Sequence, residues 1–217
     1  MHPQGKVKIK WSAEFAYAIG LLVTDGCISS DGRHIDLTSK DKEQLVNFMQ
    51  CLKIKNKIGA KIGYNGSPAW RVQFSDVNFY NFLYTIGLMP HKSKILKSIA
   101  VPSEYFFDFL RGHFDGDGTF YSYWDPRWKS SYMFYTVFMS ASEKHVLWIR
   151  EEIFQRIGIK GHVTITGKTP MYQVKYAKAE SLKLLPKIYY NTQVVSLSRK
   201  RNKISAALAV EGYTLKT

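Results

Sequence analysis

The 217-residue chain is short of cysteine, of acidic side chains and of long apolar runs, and each shortage removes a class of protein. Its two cysteines, Cys27 and Cys51, are too few for a disulfide scaffold and lack metal-ligand spacing. They read as reduced, buried thiols of an intracellular protein, and a zinc site is excluded. The longest apolar run, Phe15 to Val23, has nine residues, far below the roughly 20 that cross a bilayer, so no membrane partner is expected. The first residues are polar and basic with no apolar h-region, so no secretory signal is read there and the Asn65-Gly66-Ser67 sequon is expected to be silent. Only 17 Asp and Glu stand against 31 Lys and Arg, a net charge of +14, which favours a polyanionic partner. The composition, 45% hydrophobic and 15% aromatic, is that of a packed globular protein and excludes wholesale disorder.

What the sequence does contain is itself, twice. Gly20-Leu21-Leu22-Val23-Thr24-Asp25-Gly26 aligns with Gly112-His113-Phe114-Asp115-Gly116-Asp117-Gly118 at an offset of 92 residues. Further on, Lys42-Glu43-Gln44-Leu45 aligns with Lys144-His145-Val146-Leu147, and Trp70 to Phe74 with Tyr172 to Tyr176, at an offset of 102. The second copy thus carries ten extra residues, assigned to a long hairpin loop at Tyr121 to Tyr132, rich in Tyr, Trp and Lys. Its aromatics Tyr121, Tyr123, Trp124, Trp128 and Tyr132 either stack on unpaired bases or pack as a local cluster.

Each copy switches hydrophobic period in the same order. Glu14 to Thr24 and Phe106 to Gly116 are apolar all round, as buried helices are. His34 to Thr38 alternates, Asp41 to Leu52 is amphipathic, and Ala60 to Tyr64 and Trp70 to Phe74 alternate about a turn at Asn65 to Pro68. Val77 to Ile86 closes the first copy, and the second repeats the pattern with helices at Lys144 to Gln155 and Ala179 to Tyr189 and strands at Gly161 to Thr166 and Tyr172 to Tyr176. The expected fold is α+β, two α-β-β-α-β-β-α repeats spanning 10–89 and 105–210, with 90–104 as a linker.

In the strands one side is apolar (Trp70, Val72, Phe74; Val163, Ile165; Tyr172, Val174, Tyr176). The other side presents Lys61, Arg71, Gln73, Thr164, Thr166, Gln173 and Lys175, which suits either a nucleic-acid surface or a solvated outer face. Charge runs favour the former. No acid falls between Glu43 and Asp76 or between Glu180 and Glu211, while Lys and Arg recur in both stretches.

Asp25 and Asp117 end the two apolar helices, where the macrodipole is negative and an acid is disfavoured by up to about 1 kcal/mol. Singly, each Asp-Gly reads as a helix end with a left-handed glycine. As a symmetric pair they bring two carboxylates together, which calls for a proton or a cation, and oxygen ligands suit Mg²⁺. Ala16, Gly20 and Thr24, matched by Asp108, Gly112 and Gly116, form small-residue stripes that let the helices approach closely, with Ala16, Gly20 and Gly112 at the interface. A calcium loop opening at Asp115 is excluded, because Phe120 and Pro126 occupy the positions that need Gly and Glu. None of the six histidines has metal-ligand spacing, although His113 sits near the edge of the candidate site.

Ala18 to Gly26 and Leu110 to Gly118 resemble the two motifs of the LAGLIDADG homing endonucleases in their single-chain, two-repeat form. The likeness runs over about residues 14–205 and includes Leu88 to Lys94. The second motif is close; the first has Val23-Thr24 where the family has Asp-Ala, with its final Asp-Gly intact. The resemblance implies saddle-shaped antiparallel sheets in the DNA major groove, with the motif helices packed between the repeats. It further implies a monomer cutting both strands of a long asymmetric site with Mg²⁺, for which Mn²⁺ substitutes while Ca²⁺ supports binding without cleavage. Asp25 and Asp117 would be metal ligands assisted by the carbonyls of Thr24 and Gly116, with Lys40 and Ser39 as catalytic neighbours and Ala141-Ser142 in their place in the second copy. Arg71, Gln73, Gln173 and Lys175 are the best candidates for base edges and Lys92, Lys94, Arg199, Lys200 and Lys203 for phosphates, alongside Ser29, Arg33, His34, Asp36, Thr38, Lys61, Tyr123, Lys129, Ser140, Thr164 and Thr166. The gene would be intron-encoded, in a prokaryotic cytoplasm or nucleoid or an organelle matrix. The alternatives on the same fold are an RNA maturase, with host intron RNA as partner, and a DNA-binding regulator that does not cut.

Overall fold

A computed structural model describes residues 5–62 and 66–215; Gly63, Tyr64 and Asn65 of the expected hairpin lie outside them. The first half runs α1 (Ala13–Thr24), β1 (Gly26–Ile28), β2 (His34–Ser39), α2 (Lys42–Leu52), β3 (Gly59–Ile62), β4 (Pro68–Ser75) and α3 (Val77–Thr85). After 3-10 turns at Lys92–Lys94 and Ser103–Tyr105, the second half runs α4 (Phe106–Gly116), β5 (Thr119–Trp124), β6 (Tyr132–Ser140), α5 (Glu143–Ile157), β7 (His162–Thr166), β8 (Met171–Tyr176) and α6 (Lys178–Ile188), followed by α7 (Ser198–Val210). Each half holds one antiparallel four-stranded sheet, ordered β1-β2-β4-β3 and β5-β6-β8-β7. This is the α+β, two-repeat fold expected from the sequence.

Local chemistry sets the element ends. The Ser12 hydroxyl caps α1 by accepting from the Phe15 N–H at 3.1 Å. Asp76 caps α3 through Phe79 N–H at 2.9 Å, and its other oxygen accepts from Lys6 and Val7 N–H at 2.6 and 2.8 Å, pinning the N-terminal segment. The inward strand residues Ile35, Leu37, Val72 and Phe74, and in the second sheet Phe134, Phe138, Val174 and Tyr176, are buried and meet the helices in one continuous core. Helix α1 lies inside that core, so its residues from Phe15 to Val23 are buried on every side.

The α1–α4 contact is backbone against backbone. A Cβ on Gly20 would lie 2.2 Å from the Phe109 carbonyl oxygen, and one on Gly112 would lie 2.0 Å from that of Tyr17. No side chain larger than hydrogen fits at either position, so the glycines set the helix separation. Beside this contact, buried Arg111 pairs with Asp108 at 2.8 Å and donates to the Ile188 and Val195 carbonyls. Fully buried Asp115 accepts from Tyr17 Oη at 2.8 Å and from Leu197 N–H at 2.7 Å, fixing the start of α7 against the motif helices.

Three expectations need correction, and one element goes unread in the sequence. The segment 121–132 is mostly sheet: β5 and β6 continue to Trp124 and from Tyr132, leaving only residues 125–131 as a loop. Its aromatics alternate between faces, Phe120, Ser122 and Trp124 on one side and Tyr121 and Tyr123 on the other, so aromatic density hid a strand period. The basic run after Leu197 is helix α7. Cys27 is exposed, although Cys51 is buried. Ile165, placed on the apolar side, is 62% exposed because β7 is an edge strand.

Candidate functional site

Helices α1 and α4 end side by side at Asp25 and Asp117, whose φ angles of −89° and −90° continue the right-handed backbone. Neither following glycine is left-handed. They are glycines for space: a Cβ on Gly26 would come 2.5 Å from Leu22 O, and one on Gly118 would come 2.6 Å from Phe114 O. Two lysines answer the negative helix ends. Lys92 Nζ donates to Gly26 O at 2.5 Å, and Lys200 Nζ donates to the carbonyls of Phe114, Asp115, Gly116 and Gly118 at 2.6 to 3.0 Å. Each follows its own repeat in sequence, so the two ends are capped in equivalent ways.

Both terminal carboxylates are held above the usual aspartate range. Asp25 is half-buried and pushed up to about 6, first by desolvation and then by the charge of Asp117, against the pull of Gln44, Lys200 and Lys92. Asp117 opens to solvent at its rim, yet surrounding protein desolvates it enough to raise its pKa, opposed by Lys200 and Lys92. The charge of Asp117 makes ionisation of Asp25 harder, so the two carboxylates titrate as a pair. Two crowded carboxylates at helix ends suit a hard divalent cation with oxygen ligands. Among the described residues no three or more His, Cys, Asp or Glu converge on such a site, so the acids number two and further ligands would be carbonyl oxygens or water.

Gln44 Nε2 donates to Asp25 Oδ2 at 2.5 Å, and its own carbonyl oxygen accepts from Ser39 Oγ at 3.0 Å. With exposed Lys40 and Arg199 these residues line a 450 Å³ cleft. Around Asp117 the matching cleft, 200 Å³, is lined by Met139, Ser140, Ala141, Met171 and Ser93. Register corrects the repeat alignment here: Ser39 Oγ accepts from Asp41 N–H and Ser140 Oγ from Ser142 N–H, both at 3.1 Å. Ser39 and Lys40 thus correspond to Ser140 and Ala141, an offset of 101, rather than to Ala141 and Ser142. Gln44 then corresponds to His145, which is buried, stacked on His113 at 5.2 Å, and hydrogen bonded to Lys97 O at 2.6 Å. His113 is wholly buried and not at the site's edge.

The outward faces of both sheets carry the other candidates. On the first, Thr38, Lys61, Arg71 and Gln73 share the outer face with His34 and Asp36. Asp36 is buried in a 3.1 Å ion pair with Arg71, and His34 is bonded to Asp31, near Arg33 and Ser29. On the second, Tyr123, Thr164, Thr166, Gln173 and Lys175 face outward, with Lys129 exposed in the β5–β6 loop. Lys94, Arg199 and Lys203 are exposed, Arg199 paired with Asp41 at 2.6 Å. Lys92 and Lys200 do not face outward for phosphate; both are buried on the helix-end carbonyls. The Gly116 carbonyl, expected to assist a metal, accepts from Lys200 at 3.0 Å, and the Thr24 hydroxyl turns back onto Leu21 O at 3.0 Å. Gln44 was missed, though a glutamine four residues before Phe48 on the inward face of an amphipathic helix was a visible anomaly.

A family model described as LAGLIDADG-like domain matches residues 12–87. No curated protein sequence gives a significant match. Among solved structures, the homing endonuclease I-WcaI bound to its DNA recognition sequence superposes with a TM-score of 0.55 at 14% identity, covering 82% of each chain. Meganuclease I-SmaMI bound to uncleaveable DNA gives 0.64 at 11% identity, covering 96% of this chain and 92% of that one. Full-length DUF199/WhiA from Thermatoga maritima gives 0.57 at 15% identity, covering 97% of this chain and 64% of that one. At such identities these are likenesses of fold.

Proposed function

We propose that the chain, whose first repeat matches a LAGLIDADG-like domain and whose two-repeat fold superposes on LAGLIDADG homing endonucleases, is a site-specific endonuclease for double-stranded DNA. The observation that carries this reading is the pair of crowded carboxylates, Asp25 and Asp117, at matched helix ends between two outward-facing sheets. A net charge of +14 supplies the attraction for a polyanion. Each sheet lies along a major groove, and residues two apart on a strand, about 6.8 Å, meet bases at roughly every second step. The scissile phosphates then lie over the helix ends.

Asp25 and Asp117 would hold a divalent cation, Mg²⁺ by the hardness of the donors, which when bound polarises the phosphate and stabilises the leaving oxygen. The protein's own groups do the rest. Gln44, itself held by Ser39, fixes the orientation of Asp25. Lys92 and Lys200 hold both helix ends in place and offset the negative charge gathered there. Lys40, exposed at the Asp25 cleft, is placed to counter charge building on the phosphate, and Arg199 to anchor the strand.

A binding protein without cleavage draws support from one observation, that the Asp117 cleft has Ala141 where the Asp25 cleft has Lys40, while His145, the counterpart of Gln44, is buried on the Lys97 carbonyl. Selection from a randomised duplex library separates the readings: molecules bound in Ca²⁺ and molecules cut in Mg²⁺ are sequenced. One long motif shared by both pools, cut in a single register, is expected. Enrichment without cutting would leave the binding protein, and no enrichment would overturn DNA as the substrate in favour of structured RNA. Affinity for the selected duplex should fall steeply with salt, as several phosphate contacts demand.

A further inference from the structure

We propose that the target is split in composition: the half-site under the second sheet is A·T-rich and read through thymine methyl groups, while the half-site under the first requires hydrogen-bonding base edges of G·C pairs. The proposal rests on the DNA-endonuclease reading and adds the chemistry of the sequence recognised. Its basis is a comparison of the two outward faces at matched positions. Arg71 pairs across its sheet with Thr38, and Gln173 pairs with Met139. That register sets His34, Asp36 and Thr38 of β2 against Tyr135, Val137 and Met139 of β6, and Ala69 of β4 against Met171 of β8. Three polar side chains become a half-exposed tyrosine, a half-exposed methionine and a valine buried between its neighbours, and an alanine becomes a methionine. The strands of the first sheet contain Asp36, Lys61 and Arg71; those of the second contain Lys175 as their one Lys, Arg, Asp or Glu.

The longer β5–β6 ribbon extends the apolar character outward. Tyr121, Tyr123 and Tyr135 stack on one another at 5.1 to 6.5 Å with planes within 19°, and Met133 sits opposite Tyr123 on the same face. The rings spend their faces on each other, so the ladder offers edges and hydroxyls to a groove instead of platforms to unpaired bases. A Met- and Tyr-lined surface gains by covering the thymine C5 methyl and leaves the exposed donors and acceptors of G·C pairs poorly matched. On the first sheet the half-exposed Arg71 shares the outer face with Thr38 and Gln73, and the buried Asp36, 3.1 Å away, holds its guanidinium in place to donate to guanine edges.

The test uses the full-length protein and the duplex selected from a randomised library in Ca²⁺, with binding as the readout. Thymines are replaced by deoxyuridine in one half at a time, which removes the methyl and keeps the pairing. The expected result is a motif with one A·T-rich half, in which deoxyuridine weakens binding about threefold to fourfold per contacted methyl and more than tenfold in total. The same replacement in the other half should change binding less than twofold. Met139→Thr should lower sensitivity to deoxyuridine in the A·T-rich half, and Arg71→Ala should relax the G·C preference in the opposite half. A long motif with no A·T bias in either half, or one indifferent to deoxyuridine, overturns the proposal and leaves the endonuclease reading standing. Absence of any enriched duplex motif overturns that reading itself.

Discussion

Replacing Asp25 by asparagine should make the metal-free protein more stable at neutral pH. Asp25 carries a pKa of about 6 against an ordinary value of 3.8, a rise of about two units that corresponds to roughly 3 kcal/mol. A carboxyl whose folded pKa is raised contributes its full stability below the unfolded value, near pH 4, and loses it as pH climbs through 6. At pH 7.5 its ionised form is therefore a net cost. Asparagine keeps the shape and an oxygen to accept from Gln44, and it removes the charge. With solvent screening the half-buried group, the gain should be about 1 to 3 kcal/mol at pH 7.5 and near zero at pH 4. Urea unfolding in EDTA at both pH values measures it. Adding Mg²⁺ should then stabilise the natural protein at pH 7.5 and leave Asp25→Asn almost unmoved, because only the former gains by binding the ion. An asparagine variant that is less stable at pH 7.5, or gains equally at both pH values, would refute the crowded-carboxylate argument.

Gly112→Ala places a methyl 2.0 Å from the Tyr17 carbonyl oxygen, so the motif helices must separate; a loss of about 3 kcal/mol or more in urea unfolding is expected, against little change for Gly59→Ala, where a methyl meets nothing closer than 4.0 Å. Lys200→Met would strip the ammonium from four carbonyls at the end of α4 and should cost about 3 kcal/mol, read as early hydrogen exchange at Gly116 to Gly118. Burial holds His145 down to about 4, so the unfolded chain takes up its proton first as pH falls. Stability should drop by about 3 kcal/mol between pH 7 and pH 4 from this group, and the slope should be shallower in His145→Gln.

The repeat made most of the fold legible, because two copies of one hydrophobic pattern leave few arrangements open. Asp25, Asp117, Gly20 and Gly112 were legible for the same reason: each is unusual alone and recurs at a fixed spacing. Lys92 and Lys200 were not, since lysine is almost always exposed and nothing local marks one that reaches back to a helix end from another segment. Gln44 marked itself only as a polar residue on an inward helix face, and the repeat alignment, one residue out of register there, set it against Val146 instead of His145. The tyrosine ladder was hidden because both faces of the β5–β6 ribbon carry aromatics, which blurs the period that marks a strand.

Cleavage of the selected duplex by the natural protein and by the Asp25→Asn/Asp117→Asn double variant, both at matched fractional binding in Mg²⁺, tests the central claim most directly. The natural protein should produce double-strand breaks in one register, and the double variant should bind with similar affinity and cut neither strand. Cutting that survives the loss of both carboxylates, or a natural protein that saturates its target without breaking it, would contradict the account.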